Sequence, residues 1–278
     1  MSATSGVLVL AVGPARYHRM ARALLLSVRR CHPEWRLAAA TDQPKLLHGA
    51  ADEVVPVAMP DTGPYGLKLD ANLYTPFDRT LLLDVDSLLV RPVPQIWDFF
   101  AHVPVGVLGF NTDAGTWFGR DVADICRELG VPTLPRFNGG LICFDRSDTA
   151  TQVFATARAC FARYDELGFA PFRGTRADEP VLAMALASQG IRACHDRHLE
   201  MYRTTRNAEG PVHLDVLRHE CSFRWDGHLV RPGIVHFPST RDDAVYRREA
   251  QLLILDERGV PESLTRAVRR WQVRRRLP

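Results

Sequence analysis

The first apolar stretch, Val7 to Val12, does not alternate with polar positions, and a strand apolar on both sides is one that a parallel sheet covers on both faces. After the Gly13-Pro14 break, Arg16 to Cys31 places Met20, Ala23, Leu24 and Val28 near helical spacing and stops at His32-Pro33, where proline disfavours further helix. Leu37 to Thr41 predicts a second strand ending at Asp42, and Val54-Val55 a third. Strand, helix, strand in this order predicts an α/β fold with right-handed crossovers. Ligands of such sheets gather at the carboxyl ends of the strands, which brings Gly13, Tyr17 and Asp42 to one rim. Tyr17 suits stacking on a base and suits packing as a helix-start aromatic equally well.

Leu67, Ala71 and Tyr74 form the apolar face of a helical segment that carries Lys68 and leads through Pro76-Phe77 into LLLDVDSLLV, residues 81–90. Asp84 and Asp86 are costly among so many apolar neighbours unless something cationic neutralises them. On one continuous strand, side chains two apart share a face, so both acids would reach a single hard divalent cation shared with a phosphate. The competing reading ends the strand at Asp84 and makes Asp86 and Ser87 a turn or a cap. Lys68 is either a surface lysine or a compact phosphate contact.

Val105 to Phe110 predicts another strand, delivering a polar loop in which Trp117 and Phe118 suit sugar stacking or plug the core. Phe137 to Phe144 starts a strand with Gly139 and Gly140, a pair that allows close approach by a ligand or makes a turn or bulge. A helix is expected over Thr151 to Leu167, and another after Asp178, a good N-cap, with Glu179 and Pro180 in its first turn. GIVHF then brings His236 out of a short apolar strand, as a hydrogen-bonded residue or as a further ligand of the acidic site.

At 278 residues the chain fits one large domain or two small ones, and its 46% hydrophobic and 24% charged composition is that of a globular protein. MSATSG lacks the basic start and cleavage site of a signal peptide, and no apolar run approaches the roughly 20 residues that span a bilayer. A cytoplasmic protein is expected, with its six cysteines reduced, because none has CxxC spacing. His195, His198, His213 and His219, with Cys194 and Cys221, do not have the spacing of structural zinc. A net charge of +3 does not call for nucleic acid. Lys45 and Lys68 are the only lysines, so arginine is the default cation and its abundance alone says little about anionic partners. The basic tail, residues 266–278, reads as a frayed helix or as a peripheral contact with the anionic inner face of a membrane. Neither GxGxxG nor GxxxxGK[ST] occurs, which argues against a dinucleotide fold or a P-loop.

Taken in order, VLVLAVGPARYHRMARALLLS, YGLKLDANLYTPFDRTLLLDVDSLLV, FNGGLICFDRS, DEPVLAMAL and GIVHF resemble a GT-A glycosyltransferase, most nearly glycosyltransferase family 8, the glycogenin and bacterial lipooligosaccharide galactosyltransferase type. The resemblance runs from residue 7 to about 237. It implies a Rossmann-like, mainly parallel central sheet flanked by helices. Residues 1–265 would be a single catalytic domain, with 1–95 the nucleotide-binding half and 96–265 the donor-sugar and acceptor half. The implied activity is that of a hexosyltransferase moving a sugar from a nucleotide sugar, most simply a UDP-sugar, with retention, onto a carbohydrate, lipid-linked or small-molecule acceptor. Asp84, Asp86 and His236 would hold Mn2+ (or Mg2+). Val12 and Tyr17 would line the base, Asp42 would contact it or the ribose, and Lys68 would meet the diphosphate or donor sugar. Asn138, Gly139 and Gly140 would hold the sugar and Asp178 would bond one of its hydroxyls.

Two departures from the family pattern stand out. Glu179 occupies a position where an amide commonly faces the anomeric carbon, so a carboxylate there is a nucleophile, an ion-pair stabiliser or a general base. Arg241 stands near, but out of register with, the lysine usual after the metal histidine. Two further readings share the sheet and the acids. One is a sugar-phosphate nucleotidyltransferase, for which GPARYHRMARA is a poor version of the usual glycine-rich signature, and the other is a degenerate GT-A binding module.

Overall fold

The computed structural model describes residues 4–197, 200–238, 243–261 and 263–264. His198, Arg241 and the basic tail lie outside the described residues, so the readings attached to them stay those of the sequence. The central sheet is built from β1 (Ser5–Ala11), β2 (Arg36–Thr41), β3 (Glu53–Pro56), β4 (Arg79–Leu83), β6 (Val105–Thr112) and β7 (Leu134–Asp145), in the order β3-β2-β1-β4-β7-β6. Its first four strands are mutually parallel, and β7 runs antiparallel to both β4 and β6. A short β5 (Ser87–Leu89) lies outside this sheet and pairs with β9 (Ile234–His236), which in turn pairs with β8 (Tyr202–Thr204).

The unbroken apolar runs have a direct cause in this layering. Val7, Val9 and Ala11 of β1 face one buried cluster with Leu24, Leu25 and Val28 of helix α1 (Ala15–Cys31). Leu8 faces the other, with Phe154 of α3 (Asp148–Ala162) and Val181 of α4 (Asp178–Ser188). Every residue of α4 from Pro180 to Ala187 is buried, as expected of a helix apolar all round. A remaining helix, α5 (Asp243–Glu257), is tied to α1 by Arg22–Glu257 at 2.5 Å and Arg30–Asp256 at 2.7 Å. No described helix is long and apolar enough to cross a membrane.

Several boundaries differ from the pattern. The predicted strand over 81–90 is two strands, because β4 ends at Leu83 and Asp84–Val85–Asp86 is a turn closed by Ser87 N–H donating to Asp84 O at 3.0 Å. The helix expected over Thr151 to Leu167 starts earlier, at Asp148, because Ser147 caps it by accepting from Ala150 N. The segment carrying Lys68 breaks at Asp70, so α2 (Gly63–Leu69) ends one residue after the lysine. Asp178 is not a cap: Ala177 is the N-cap, without a side-chain bond, and Asp178 is the first helical residue. Its carboxylate is drawn instead to Lys68.

Candidate functional site

The carboxyl ends of β1 and β4 open on a cavity of about 1080 Å³ whose lining includes Val12, Tyr17, Lys68, Asp84 and Asp86. Backbone bonds fix the acidic turn beneath it. Asp84 N–H donates to Gly140 O at 3.0 Å, extending the β4–β7 ladder, and Phe237 N–H donates to Asp86 O at 2.8 Å, extending the β5–β9 pairing. The same pairing sets His236 opposite Ser87, so the histidine side chain arrives beside both acids from a strand almost 150 residues away. His236 Nε2 lies 3.0 Å from Asp86 Oδ1 and 3.8 Å from Asp84 Oδ2. One ligand atom from each of the three residues falls within 4.8 Å of the others, and among the described residues this is the only such group. The six cysteines are free thiols.

Lys68 is the cation of this turn. Its Nζ lies 2.7 Å from Asp84 Oδ1 and 3.2 Å from Asp178 Oδ2, and donates to Gly139 O at 3.2 Å. Burial favours the neutral amine, but Asp178 and then Asp84 outweigh it and hold the ammonium above its ordinary pKa. The two acids of the turn are unequal. Burial raises Asp84, against the pull of Lys68 and His236, whereas Asp86 overcomes its burial through the adjoining imidazole and falls below the usual range. His236, disfavoured as a cation by burial, is raised by Asp86 and Asp84. Such mutual adjustment is how one lysine and one imidazole partly neutralise clustered carboxylates.

Beneath the turn runs a second layer of contacts. Asn138 Oδ1 receives the Tyr202 hydroxyl, lies 2.8 Å from His236 Nδ1 and accepts from Gly140 N–H at 3.2 Å. Tyr202 Oη is also 2.7 Å from His236 Nδ1. With Nδ1–H donated to Asn138, Nε2 is the ring nitrogen that faces the acids, bonded to Asp86 as the imidazolium and free to ligate once its proton leaves. A Cβ on Gly140 would sit 2.3 Å from Tyr202 Oη and 2.5 Å from His236 Nδ1, so glycine is required there to admit the tyrosine and the imidazole. Asn138 Nδ2 and Gly139 N–H both donate to Glu179 Oε1, at 3.3 and 2.8 Å. Burial and then Asp178 raise the Glu179 carboxyl to about 7.

Eleven of the twelve candidate site residues thus meet around one turn or line its cavity, and the twelfth, Asp42, sits close by. Asp42 accepts from Gly13 N–H at 3.0 Å, while its other oxygen lies 2.7 Å from the buried His18 Nε2. It therefore holds Gly13 at φ 93, a left-handed conformation suited to glycine. Gly139 uses both backbone polar groups within the protein. Trp117 is buried against Phe137 and belongs to the core. Tyr202 was not apparent from the chain, because nothing local to MYRTT marks a tyrosine that bonds a residue 34 positions on. Arg173, also missed, lines the cavity and donates to Pro238 O across its mouth.

No family model matches the sequence, and no curated protein matches it. Solved structures do match in fold. The galactosyltransferase LgtC, in complex with donor and acceptor sugar analogs, aligns with 88% of this chain and 95% of its own at a TM-score of 0.55 and 15% identity. An active-site glutamine-to-glutamate mutant of LgtC aligns over the same shares at 0.56 and 14%. The bifunctional glycosyltransferase WbbM, in its apo form, aligns with 86% of this chain and 46% of its own at 0.51 and 12%. The chain therefore has the GT-A type of α/β fold that the motifs predicted, a mixed central sheet flanked by helices.

Proposed function

We propose that this GT-A-fold chain is a metal-dependent hexosyltransferase, one catalytic unit over residues 1–265, that moves a sugar from a UDP-sugar to an acceptor with retention. The observation carrying this reading is the Asp84, Asp86 and His236 trio at the carboxyl end of β4, opening on the cavity that Val12, Tyr17 and Lys68 also line. Two carboxylates and an imidazole are a donor set that suits Mn2+ or Mg2+, and the Nδ1 contact to Asn138 leaves Nε2 able to ligate. A divalent ion held there would stabilise the charge that a departing nucleoside diphosphate acquires.

The chain's own groups supply the rest. Tyr17 and Val12 line the nucleoside end, with Asp42 shaping the turn between them. Lys68 sets a fixed positive charge at the diphosphate or donor sugar, in a site where burial strengthens it. Asp178 Oδ2 is buried and, although ion-paired to Lys68, has no hydrogen-bond donor, which suits it to accept a sugar hydroxyl. Asn138 orients Glu179 and His236 together, and Gly139 keeps a Cβ away from Asp178 and Glu179. Glu179 would face the anomeric carbon, where a carboxylate stabilises oxocarbenium-like charge or attacks it.

The test is UDP release from UDP-sugars with and without manganese. Turnover is expected to need the metal and to be lost in Asp86→Ala, and metal-independent turnover would overturn the reading. Tyr202→Phe is expected to weaken Mn2+ binding, measured by electron paramagnetic resonance, about 10- to 100-fold, since the imidazole loses a hydrogen-bonding neighbour without losing a ligand. Unchanged affinity would show that Asn138 alone orients His236.

A further inference from the structure

The loop between α3 and α4, in residues 168–177, presents an arrangement to which the donor reading above assigns no role. Two guanidiniums lie over one ring: Arg173 is 5.0 Å and Arg206 5.7 Å from the Phe172 centroid. Edge contacts from Tyr65, at 6.3 Å, and Phe118, at 6.1 Å, hold that ring in place. Arg173 has φ 52, a conformation rare for a residue with a side chain and common where a loop is held for function. It reaches Pro238 O, two residues beyond His236, and so stands beside the metal ligands. Among the described residues, neither arginine has a carboxylate within ion-pair distance, although many others in the chain do. Two like charges gathered on one ring repel.

The charge of the cavity points the same way. Its described lining carries six cationic side chains against three carboxylates. A divalent ion and a nucleoside diphosphate sugar bring equal and opposite charges, so filling the donor site leaves this excess unchanged. The nucleoside rim is at Val12 and Tyr17. Arg173 lies on the loop leading into Asp178 and Glu179, away from that rim in the chain.

We infer that the acceptor is itself an anion, a saccharide bearing a carboxylate or a phosphate ester, gripped by Arg173 and Arg206 over Phe172. This rests on the transferase reading above. Guanidiniums suit this task because their planar forks match carboxylate and phosphate oxygens, and stacking on the ring fixes their planes beforehand.

The experiment has two steps, both by calorimetry at constant ionic strength. UDP with Mn2+ is titrated first. Glucose 6-phosphate, glucuronate and glucose are then each titrated into the UDP–Mn2+ complex. Both anions, or one of them, are expected to bind at least about tenfold more tightly than glucose. Preference for the first identifies a phosphate ester and for the second a carboxylate. Arg206→Gln, a substitution at an exposed position, is expected to remove that preference while glucose binding stays as it was. Equal affinities for the three probes, no binding by either anion, displacement of UDP by the anion, or an unaltered preference in Arg206→Gln would each overturn the inference alone. Failure of UDP to bind in the first step would overturn the transferase reading and this inference with it.

Discussion

Lys68→Met is expected to lower the unfolding free energy of the metal-free protein by about 3–5 kcal/mol, the usual cost of stranding a buried charge. Lys68 is 8% exposed, and its ammonium is held by Asp84, Asp178 and Gly139 O. Methionine matches the stem in length and leaves two carboxylates and a carbonyl facing each other without a cation. Urea unfolding in chelator checks the figure, and a loss below about 1 kcal/mol would mean that water reaches the acids and screens them. Adding Asp178→Asn to Lys68→Met is expected to return part of the loss, because it removes one of the stranded charges. On the transferase reading proposed above, turnover of a UDP-sugar is expected to fall about 10²-fold or more, since the same ammonium would stand where diphosphate charge develops. Stability returning in the double variant without a return of turnover would separate the two roles.

Glu179→Gln is expected to stabilise the metal-free protein at pH 8 and to change it little at pH 5. The folded carboxyl titrates at about 7, raised from 4.5, so the folded state holds its proton more tightly than the unfolded chain. Stability from that proton is complete below the unfolded pKa and is lost as pH rises through about 7. The shift corresponds to about 3 kcal/mol at pH 8 and to less than about 1 kcal/mol at pH 5. An amide oxygen keeps the bonds from Gly139 N–H and Asn138 Nδ2 without carrying charge. Melting curves at the two pH values decide it, and equal effects at both would show that the carboxyl is not raised. On the transferase reading, the rate is expected to climb through the same pH range as the carboxylate forms, and Glu179→Gln should flatten that climb.

Much of the architecture was legible in the chain because its signals are local. Unalternating strands such as Val7 to Val12 report a sheet covered on both faces, and the apolar run after Glu179 reports a helix buried all round. Punctuation by Gly13-Pro14 and His32-Pro33 set the limits of the first helix to within one residue. Where the pattern misled, a local alternative had equal claim on the residues. LLLDVDSLLV alternates well enough for one strand, yet turning at Asp84–Val85–Asp86 lets the two carboxylates leave the apolar interior and face a cavity. Asp178 has the composition of a cap, but a buried ammonium is a stronger attraction than a backbone N–H that water or a helix start can satisfy.

The amino-acid sequence by itself determined the α/β class, the acids of the DxD turn and the histidine that would complete their ligand set, since each is a residue type in a recognisable short context. Tertiary structure alone decided that Tyr202 and Asn138 orient His236, that Gly140 is glycine to admit them, that Asp42 holds a turn, and that Arg173 and Arg206 share one ring. Those contacts join strands and loops between 29 and 98 residues apart. Their partners are chosen by sheet register and by what burial leaves unpaired, and neither is encoded in any local stretch of the chain.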